Sequence, residues 1–372
     1  MNSTGRIRVA IFFGGVSSEH DVSCLTAGGV TRAIDRARFE VLGVGITPKG
    51  KFVQVSSDAM GAQEVVDGRL PRLTEDGAEA VLLRRDGGGR VATIDGDRLV
   101  DVHDFDVAFA LLHGPFGEDG TIQGLFEMLG VHYVGSGVAG SAIGMDKILM
   151  KRMLQAAGIP VAPYIEVNPR QWREDPHAVL DAAAALALPL YVKPARGGSS
   201  MGISRVTTLE ELPVAIDEAG KHDPKVLVEE GFVGAREIEL AVLGNVDGAA
   251  PDVSLPGEIR MHTQDAFYDF DAKYLPGEQV SIDVPADLDD DEIAACQEMA
   301  ARAFEALLAE GLSRVDLFVT RKGGVYVNEI NTMPGFTRFS MFPMMWDASG
   351  ISYPDVIARL VELALNRPLG LR

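Results

Sequence analysis

The chain has 372 residues and a formal net charge of −20, from 34 basic and 54 acidic side chains. That length predicts two or three domains, and 47% hydrophobic residues predict a folded globular protein. The negative charge disfavours binding to nucleic acid or to an anionic membrane surface, and no stretch approaches a membrane-spanning length. Cys24 and Cys296 form no metal or redox motif and fit a reducing compartment, so we expect a cytoplasmic protein.

The N-terminal segment predicts a buried parallel strand over residues 7–13, followed by a glycine turn and a helix that begins near Ser17 or Ser18. A strand, a glycine turn and a helix N-terminus together form an anion site, because the first helical N–H groups have no partners within the helix. Glu19 and His20 are also explained as polar residues of the first helical turn. Residues 48–101 are rich in turns and predict small hairpins inserted in the first domain, without chemistry of their own.

His113 follows the next predicted strand and lies in a glycine-rich loop, HGPFGEDG. Ligands of open α/β sheets collect at the carboxyl ends of strands, which favours a binding role for this histidine. A structural histidine is the alternative interpretation. The strand–helix alternation predicts a parallel-sheet first domain over residues 1–136.

The second predicted unit covers residues 137–228. A helix starts at the cap Asp146 and stops at Gly158. Its Lys147 and Lys151 are four positions apart and share one face, although most such lysines are solvated. The strand YVK leads into the loop ARGGSSMG, whose N–H groups and hydroxyls can approach phosphate oxygens closely. Lys193 adds a positive charge there. The lysine precedes the loop, which is not the Walker pattern, and a mobile hairpin tip is the alternative.

The last predicted unit covers residues 229–372. The strand LVEE presents an edge that can pair with an adenine rim, and Glu237 can accept ribose hydroxyls. Between two strands, residues 258–279 form a loop rich in aromatic and charged residues. Loops of this length inside compact domains are usually lids or binding loops, so we expect a lid here.

A hairpin over residues 314–335 carries the clearest chemical pattern of the chain. With a two-residue loop at Lys322 and Gly323, Asp316 lies opposite Glu329 and Arg314 opposite Asn331. Two facing carboxylates repel each other unless a cation lies between them, and oxygen ligands favour Mg²⁺ (or Mn²⁺) shared with substrate phosphates. A solvated hairpin with scattered charges is the alternative.

Taken together, these segments resemble the D-alanine–D-alanine ligases of the ATP-grasp superfamily over essentially the whole chain. The matching blocks, in order, are GGVSSEHDVS, HGPFGEDGTIQG, GSGVAGSAIGMDK, YVKPARGGSSMG, GAREIELAVLGN, FYDFDAKY, SRVDLF and NEINTMPGFTRFS. The resemblance implies an α/β (α+β) three-domain ATP-grasp fold. A parallel-sheet N-terminal domain is followed along the chain by central and C-terminal domains that clasp ATP. It also implies ATP-dependent joining of two D-alanines through a D-alanyl phosphate, for peptidoglycan precursors, by a homodimer.

The resemblance assigns a role to each matching residue. The metal ligands are Asp316, Glu329 and Asn331, with Glu329 bridging two ions. The nucleotide contacts are Lys147, Lys193, Ser199 and Ser200 at the phosphates, Glu229, Glu230 and Phe232 around adenine, and Glu237 at the ribose. Glu19 and His113 hold the first D-alanine, Arg314 and the Gly335 N–H surround the reacting carbonyl, and Lys273, Tyr274, Ser340 and Met341 receive the second D-alanine. Glu19, Ser199 and Tyr274 correspond to a hydrogen-bonded trio that holds the lid over the site.

Two departures and three alternatives accompany this resemblance. The chain carries the insertion at 48–101, and Met341 stands where other members have leucine. A D-alanine–D-lactate ligase is the nearest rival, but such enzymes rebuild the loop that here contains Tyr274; His262 lies outside the matching position. Other ATP-grasp ligases lack the Glu19 and His113 blocks. A non-catalytic ATP-binding protein is disfavoured because all three metal ligands are present. The sequence assigns no group that deprotonates the incoming amine.

Overall fold

A computed structural model describes residues 5–198, 201–261 and 280–370. It contains three main sheets and one small sheet, which follow each other along the chain and surround a common cavity. In the part of the chain that the structure describes, no helix is long and apolar enough to cross a lipid bilayer.

The N-terminal part is built on a sheet of buried strands, as the sequence predicts. The strands are β1 Ile7–Gly14, β2 Phe39–Ile46, β3 Phe52–Val55, β4 Ala80–Arg85, β5 Gly88–Asp95, β6 Arg98–Phe105, β7 Val107–Ala110 and β8 His132–Tyr133, and the helices are α1 His20–Ala33, α2 Ser57–Gly61 and α3 Thr121–Leu129. The sheet order is β3-β2-β1-β7-β8. All pairs are parallel except β2–β3, so the predicted parallel sheet is confirmed.

The insertion at 48–101 forms two separate pieces. Strands β4, β5 and β6 make an antiparallel three-stranded sheet, which agrees with the predicted small hairpins. Strand β3 instead pairs with β2 and becomes the edge of the main sheet. The segment between them crosses the start of α1, where the Leu73 N–H donates to His20 Nε2 at 3.2 Å. The insertion therefore braces the helix that carries Glu19.

The central part is an antiparallel sheet with helices against it. Its helices are α4 Val138–Met145, α5 Lys147–Ala156, α6 Pro169–Glu174, α7 Pro176–Ala183 and α8 Leu212–Gly220, and its strands are β9 Tyr164–Val167, β10 Leu190–Pro194, β11 Ser204–Val206 and β12 Val226–Glu230. The sheet order is β11-β10-β12-β9. Asp146 caps α5 through the N–H groups of Ile148 and Leu149, as predicted. Strand β12 runs across the boundary that we predict at residue 228.

The C-terminal part is a second antiparallel sheet. It contains β13 Arg236–Leu243, β14 Asp252–Val253, β15 Gly257–Met261, β16 Val280–Asp283, β17 Leu312–Val319 and β18 Val325–Asn331, with the helices α9 Asp290–Ala306, α10 Met341–Ala348 and α11 Tyr353–Asn366. The sheet order is β16-β15-β13-β17-β18, with β14 also on β13. Apolar side chains of α9 and of alternate strand positions form one core on the far side of this sheet.

The last helices return to the first sheet and fix the two ends of the chain against each other. Helix α11 packs against β7, β8 and α1, and its buried face shares a core with β1 and with Phe336 and Met333. The loop after β18 is therefore held beside the loop that follows β7. This packing brings His113 to the residues after Asn331, which are more than 200 positions away in sequence.

Candidate active site

A cavity of about 480 Å³ lies where the three main sheets meet. Of the residues to which the sequence analysis gives a role, those that line it and lie in the described ranges are Glu19, His113, Lys147, Lys193, Glu229, Glu230, Phe232, Glu237, Arg314, Glu329, Asn331, Gly335, Ser340 and Met341. Asp316 lies beside this wall, bound to Arg314 and Asn331. One cavity thus gathers the positions predicted for nucleotide, metal and amino acid.

The hairpin places the predicted metal ligands opposite each other. Asp316 pairs with Glu329 and Arg314 pairs with Asn331 across β17 and β18, as predicted. The connection is longer than the two residues predicted, since Val319 already pairs with Val325. A register shift between Asp316 and Leu317 compensates for the longer turn. Such a bulge adds one residue on one strand, so the two deviations cancel at the site end of the hairpin.

Asp316 lies at the centre of a polar network. Both of its oxygens accept hydrogen bonds from Arg314, from Nε at 2.7 Å and from Nη2 at 2.7 Å. The Asn331 amide also donates to Asp316 Oδ2 at 3.1 Å. Burial alone lowers the pKa of Arg314, but Asp316 and Glu239 outweigh it and raise that pKa well above its usual value. The guanidinium is therefore a fixed positive charge at the cavity wall.

The donor set fits a hard divalent cation. Asp316, Glu329 and Asn331 offer carboxylate and amide oxygens on one face of the sheet, the ligand type that Mg²⁺ prefers. Glu329 Oε2 lies 3.7 Å from Lys147 Nζ, so this carboxylate also faces the lysine predicted at the phosphates. Within the described ranges, no group of three or more His, Cys, Asp and Glu side chains has the arrangement of a metal centre. The metal assignment stays a prediction that includes the amide of Asn331.

Two lysines share one buried carboxylate beneath the nucleotide region. Glu229, 2% exposed, forms ion pairs with Lys193 and with Lys151, whose Nζ lies 2.8 Å from Glu229 Oε2. Burial alone raises the pKa of Glu229, but the two lysines lower it to about 2. Lys147 donates to the Gly197 carbonyl at 2.9 Å, at the start of the small-residue loop. Lys193 is thus anchored before any phosphate binds.

Replacing Lys151 with methionine is expected to raise the KM for ATP about tenfold, while the KM for D-alanine stays unchanged. Among the described residues, Glu229 would then have Lys193 as its only cationic partner and would hold Lys193 more strongly, so less of the Lys193 charge would be available to ATP. Hydrogen bonds to charged groups are worth about 1.5–3 kcal/mol, which is enough for a tenfold change. Steady-state kinetics with varied ATP measure this change. Lys221→Met is the matched control, because Lys221 is an exposed lysine paired with Glu218. Equal KM values for ATP in both variants would contradict the anchoring role.

The predicted adenine wall is formed by the end of β12 and the strand that follows. Phe232 packs against Tyr326, with ring centroids 4.5 Å apart, and edge-on against Phe318. The Glu230 carboxylate accepts the Ala187 N–H at 2.8 Å, and its own N–H donates to Pro163. Glu237 lies on β13 at the rim of the cavity. Strand β12 lies between β10 and β9, so the prediction that it forms a sheet edge is wrong. The aromatic wall beside it still suits a nucleotide base.

Glu19 and His113 meet at the N-terminal side of the cavity. Glu19 is the cap residue of α1, and its Oε2 lies beside Gly114, where a Cβ would be 2.8 Å away. Gly114 has φ +71°, a left-handed conformation that favours glycine. His113 Nδ1 lies 3.1 Å from the Met333 carbonyl, which can only accept, so Nδ1 carries the proton. His113 Nε2 is buried, without a hydrogen bond to any described residue. Burial lowers the pKa of His113, which keeps Nε2 a neutral acceptor.

Glu118 connects the loop after β7, which contains His113 and Gly114, to the loop after β18, which contains Met333. Its Oε2 accepts the Gly114 N–H at 2.7 Å and its Oε1 accepts the Met333 N–H at 3.1 Å. Together with the His113 contact, this holds the backbone of Met333 at both its N–H and its carbonyl. Both contacts come from residues of the N-terminal part. Burial, with a smaller contribution from Glu19, raises the pKa of Glu118 to about 8.

The thermal midpoint of the ligand-free protein is expected to fall as pH rises from about 5 to about 8.5. The pKa of Glu118 is about 8 in the folded chain against 4.5 ordinarily, so the folded state holds an extra proton in this window and loses stability as that proton leaves. Glu118→Gln removes this contribution and should flatten the curve. Calorimetry across the pH range measures it, with the exposed Glu174→Gln as control. A variant curve parallel to the wild type would contradict the assignment.

Four predicted site residues lie outside the described residues: Ser199, Ser200, Lys273 and Tyr274. The predicted lid contact of Glu19, Ser199 and Tyr274 is therefore not described, but Glu19 lies next to Gly198, where a Cβ would be 3.1 Å from Oε2. Ser340 precedes α10, and its hydroxyl contacts Thr337 Oγ1 at 2.9 Å. The buried Met341 reaches Gly257 on β15.

Three residues of the site receive no role in the sequence analysis: Glu118, Lys151 and Glu239. Lys151 shares a face with Lys147 but is buried, not solvated. Lys151 had a signal, because it lies one turn after Lys147 on a helix whose other buried residues are apolar. Glu239 lies two positions after Glu237 on a strand, which puts both on the same face. Glu118 is one of several acidic residues in a glycine-rich loop, and its partner Met333 lies 215 positions away. Only the fold distinguishes it from a solvated carboxylate.

Comparison with known proteins assigns this fold and cavity to a class of ATP-dependent ligases. Family models described as D-ala D-ala ligase N-terminus and D-ala D-ala ligase C-terminus match residues 8–136 and 153–362. The chain belongs to the D-alanine–D-alanine ligase family, and it has the family's ATP-grasp fold.

Curated relatives match this chain over its whole length. It is 49% identical to the D-alanine--D-alanine ligase of Kineococcus radiotolerans, with 100% of each chain covered. It is 46% identical to the D-alanine--D-alanine ligase of Mycobacterium avium, again over 100% of each chain. Among solved structures, the D-alanine-D-alanine ligase of Coxiella burnetii superimposes with a TM-score of 0.81 at 31% identity, covering 97% of this chain and 94% of that one. The D-Ala:D-Ser ligase of Enterococcus faecalis gives 0.80 at 31% identity, covering 96% and 99%.

Proposed function

We propose that this chain joins two molecules of D-alanine into D-alanyl-D-alanine at the expense of ATP, for peptidoglycan precursor synthesis. The observation that carries the proposal is the facing pair Asp316 and Glu329 beside Lys147 and Lys193 in one cavity. This arrangement occurs in a chain that matches the ligase family in both halves. ATP supplies the activation that an unreactive carboxylate needs.

In the first step the carboxylate of one D-alanine attacks the γ-phosphorus of ATP, which forms D-alanyl phosphate and releases ADP. Negative charge accumulates on the transferring oxygens, and catalysis of such a transfer is mainly positioning and electrostatic stabilisation. Lys147 and Lys193 face this region, and Gly197 and Gly198 lead into the loop that approaches the phosphates. Glu19 and the acceptor Nε2 of His113 suit the ammonium group of the first D-alanine.

In the second step the amine of the other D-alanine attacks the acyl carbon, and inorganic phosphate leaves. A tetrahedral oxyanion forms on the way, and preorganised donors stabilise it in a site that excludes water. Arg314 is one donor and the Gly335 N–H is the other. Arg314 donates to Asp316 through Nε and Nη2, which leaves N–H groups on Nη1 and Nη2 as donors for the reacting carbonyl.

Asp316, Glu329 and Asn331 would hold Mg²⁺ or Mn²⁺, and the cation would neutralise charge on the phosphates of ATP. Lys147, 3.7 Å from Glu329 Oε2, and Lys193 would add positive charge at the same phosphates. Ser340, Met341 and the predicted residues Lys273 and Tyr274 form the side that receives the second D-alanine. The protein acts in the cytoplasm as a homodimer, without nucleic acid or membrane as a partner.

The function is tested by measuring inorganic phosphate release with ATP and Mg²⁺, with and without D-alanine. Release that requires D-alanine, with D-alanyl-D-alanine as the product, is the expected result, and L-alanine should not replace it. ATP binding without phosphate release that depends on D-alanine would favour a non-catalytic nucleotide-binding protein.

The acceptor is tested separately, because related enzymes differ in it. We expect D-alanine to be used in preference to D-lactate at neutral pH, since the 46–49% identical relatives are D-alanine--D-alanine ligases. D-serine is the third acceptor to assay, because one structural neighbour is a D-Ala:D-Ser ligase. Preferential depsipeptide formation at neutral pH would overturn this choice.

A further inference from the structure

Glu239 lies at the centre of the site without a role in the scheme above. It is on β13, directly opposite Asp316 of β17, and both side chains face the cavity side of the sheet. Glu239 is only 4% exposed. The guanidinium of Arg314 lies between the two carboxylates, with Nε 3.0 Å from Glu239 Oε2 and 2.7 Å from Asp316 Oδ1. Two buried carboxylates thus share one buried guanidinium.

Asp316 accepts three hydrogen bonds from its neighbours, which leaves about one of the four lone-pair sites of its carboxylate for a metal ion. Arg314 donates to both of its oxygens, and Asn331 donates to one of them. A divalent cation needs lone pairs of the same carboxylate and repels a guanidinium beside it. Because the cation repels the guanidinium, we expect Arg314 to give up part of its contact with Asp316 when the cation binds. A buried charge without a partner is costly, so another acid has to hold it.

We propose that Glu239 is a positioning residue that holds Arg314 at the reacting centre when a divalent cation takes Asp316. This inference rests on the proposed metal site. The two acids form alternative partners for one guanidinium, and Glu239 needs no ligand to fulfil its part. Without Glu239, Arg314 stays on Asp316, so the arginine and the metal ion compete for the same oxygens.

A simpler role is that Glu239 adds one negative charge near the metal. That role predicts a metal affinity that depends on Glu239 whether or not Arg314 is present. The proposed role acts through Arg314 and disappears with it. A double-mutant cycle separates the two, because it measures the coupling between residues rather than their single effects.

The experiment measures the Kd of Mn²⁺ from the free-ion EPR signal, with saturating ADP and no D-alanine, so that no turnover occurs. Glu239→Gln is expected to weaken Mn²⁺ binding about 3- to 10-fold, the size of a coupling between neighbouring charged residues. Arg314→Met should tighten it by removing the competing cation. In the Arg314→Met background, Glu239→Gln should then have no further effect. An equal weakening in both backgrounds, or none in either, overturns the proposal.

Three further variants make the outcome unambiguous. Glu258→Gln is the matched control, since Glu258 is another 4% exposed carboxylate of the same sheet, paired with Arg236 and Arg260, and should leave Mn²⁺ affinity unchanged. Asp316→Asn should lose Mn²⁺ binding; if it does not, the proposed metal site itself is wrong. If Glu239→Gln does not fold, Glu239→Asp keeps the charge but withdraws it from Arg314, and the same cycle applies.

Discussion

Replacing Glu329 with glutamine is expected to lower kcat by on the order of 10³, with little change in thermal stability. The side chain faces the cavity, opposite Asp316 and 3.7 Å from Lys147 Nζ, and lies outside the apolar core of the sheet. Glutamine keeps the size of the side chain but halves its oxygens and removes its charge. The transferring phosphate oxygens would lose the cation that we propose Glu329 holds, and Lys147 would lose its acidic neighbour.

The measurement is the rate of D-alanine-dependent phosphate release, alongside the thermal midpoint and ADP affinity without metal. Glu166→Gln is the control, because Glu166 pairs with Arg152 at the surface of the central sheet and should leave the rate unchanged. A Glu329→Gln enzyme that keeps more than about a tenth of wild-type kcat would exclude Glu329 as a bridging ligand. Loss of the folded state would instead give it a structural role.

Local pattern was sufficient to predict the pairing of this hairpin. Val315, Leu317 and Val319 alternate with polar residues, and a one-residue slip would turn them away from the core, so the hydrophobic face sets the register. The turn was less predictable. The chain uses a longer connection and compensates with a bulge near Asn328, and no residue between Thr320 and Val325 distinguishes this solution from a two-residue turn.

Long-range charge pairing is what the sequence could not provide. Asp146 and Gly158 bound their helix as predicted, because capping acts over one turn. The ionic environment of Glu229, by contrast, depends on Lys151 and Lys193, which lie on a different helix and strand. The predicted adenine role of Glu229 is compatible with this anchor but stays a prediction.

In the N-terminal part, too, local features could be predicted from the sequence and long-range contacts could not. Alternation of strands and helices predicts the parallel sheet, and the glycine at position 14, with φ +90° and a Cβ that would lie 2.3 Å from the Ile46 carbonyl, marks its first turn. The clamp of Glu118 and His113 on the Met333 peptide depends on α11 packing back on the first sheet. No local motif encodes that return of the chain.

Replacing Arg314 with lysine is expected to lower dipeptide formation by on the order of 10²–10³, the effect of losing one oxyanion donor. Lysine keeps the positive charge between Asp316 and Glu239 but lacks the planar fork that donates to Asp316 and to the carbonyl at once. In the proposed mechanism, the first chemical step depends on Lys147, Lys193 and the cation and not on this fork. D-Alanyl phosphate should therefore still form and then hydrolyse, so more phosphate is released per dipeptide.

Measuring phosphate and dipeptide in the same reaction distinguishes this result from a general loss of activity. In the wild type the two products should accumulate in equal amounts, whereas in Arg314→Lys their ratio should rise as dipeptide falls. The KM for ATP should stay close to the wild-type value, because Arg314 lies at the reacting carbonyl and not at the phosphate lysines. A parallel fall of both products would place Arg314 in the first step, as a phosphate contact. The ratio of the two products therefore shows in which step Arg314 acts: formation of the bond to phosphorus or formation of the bond to nitrogen.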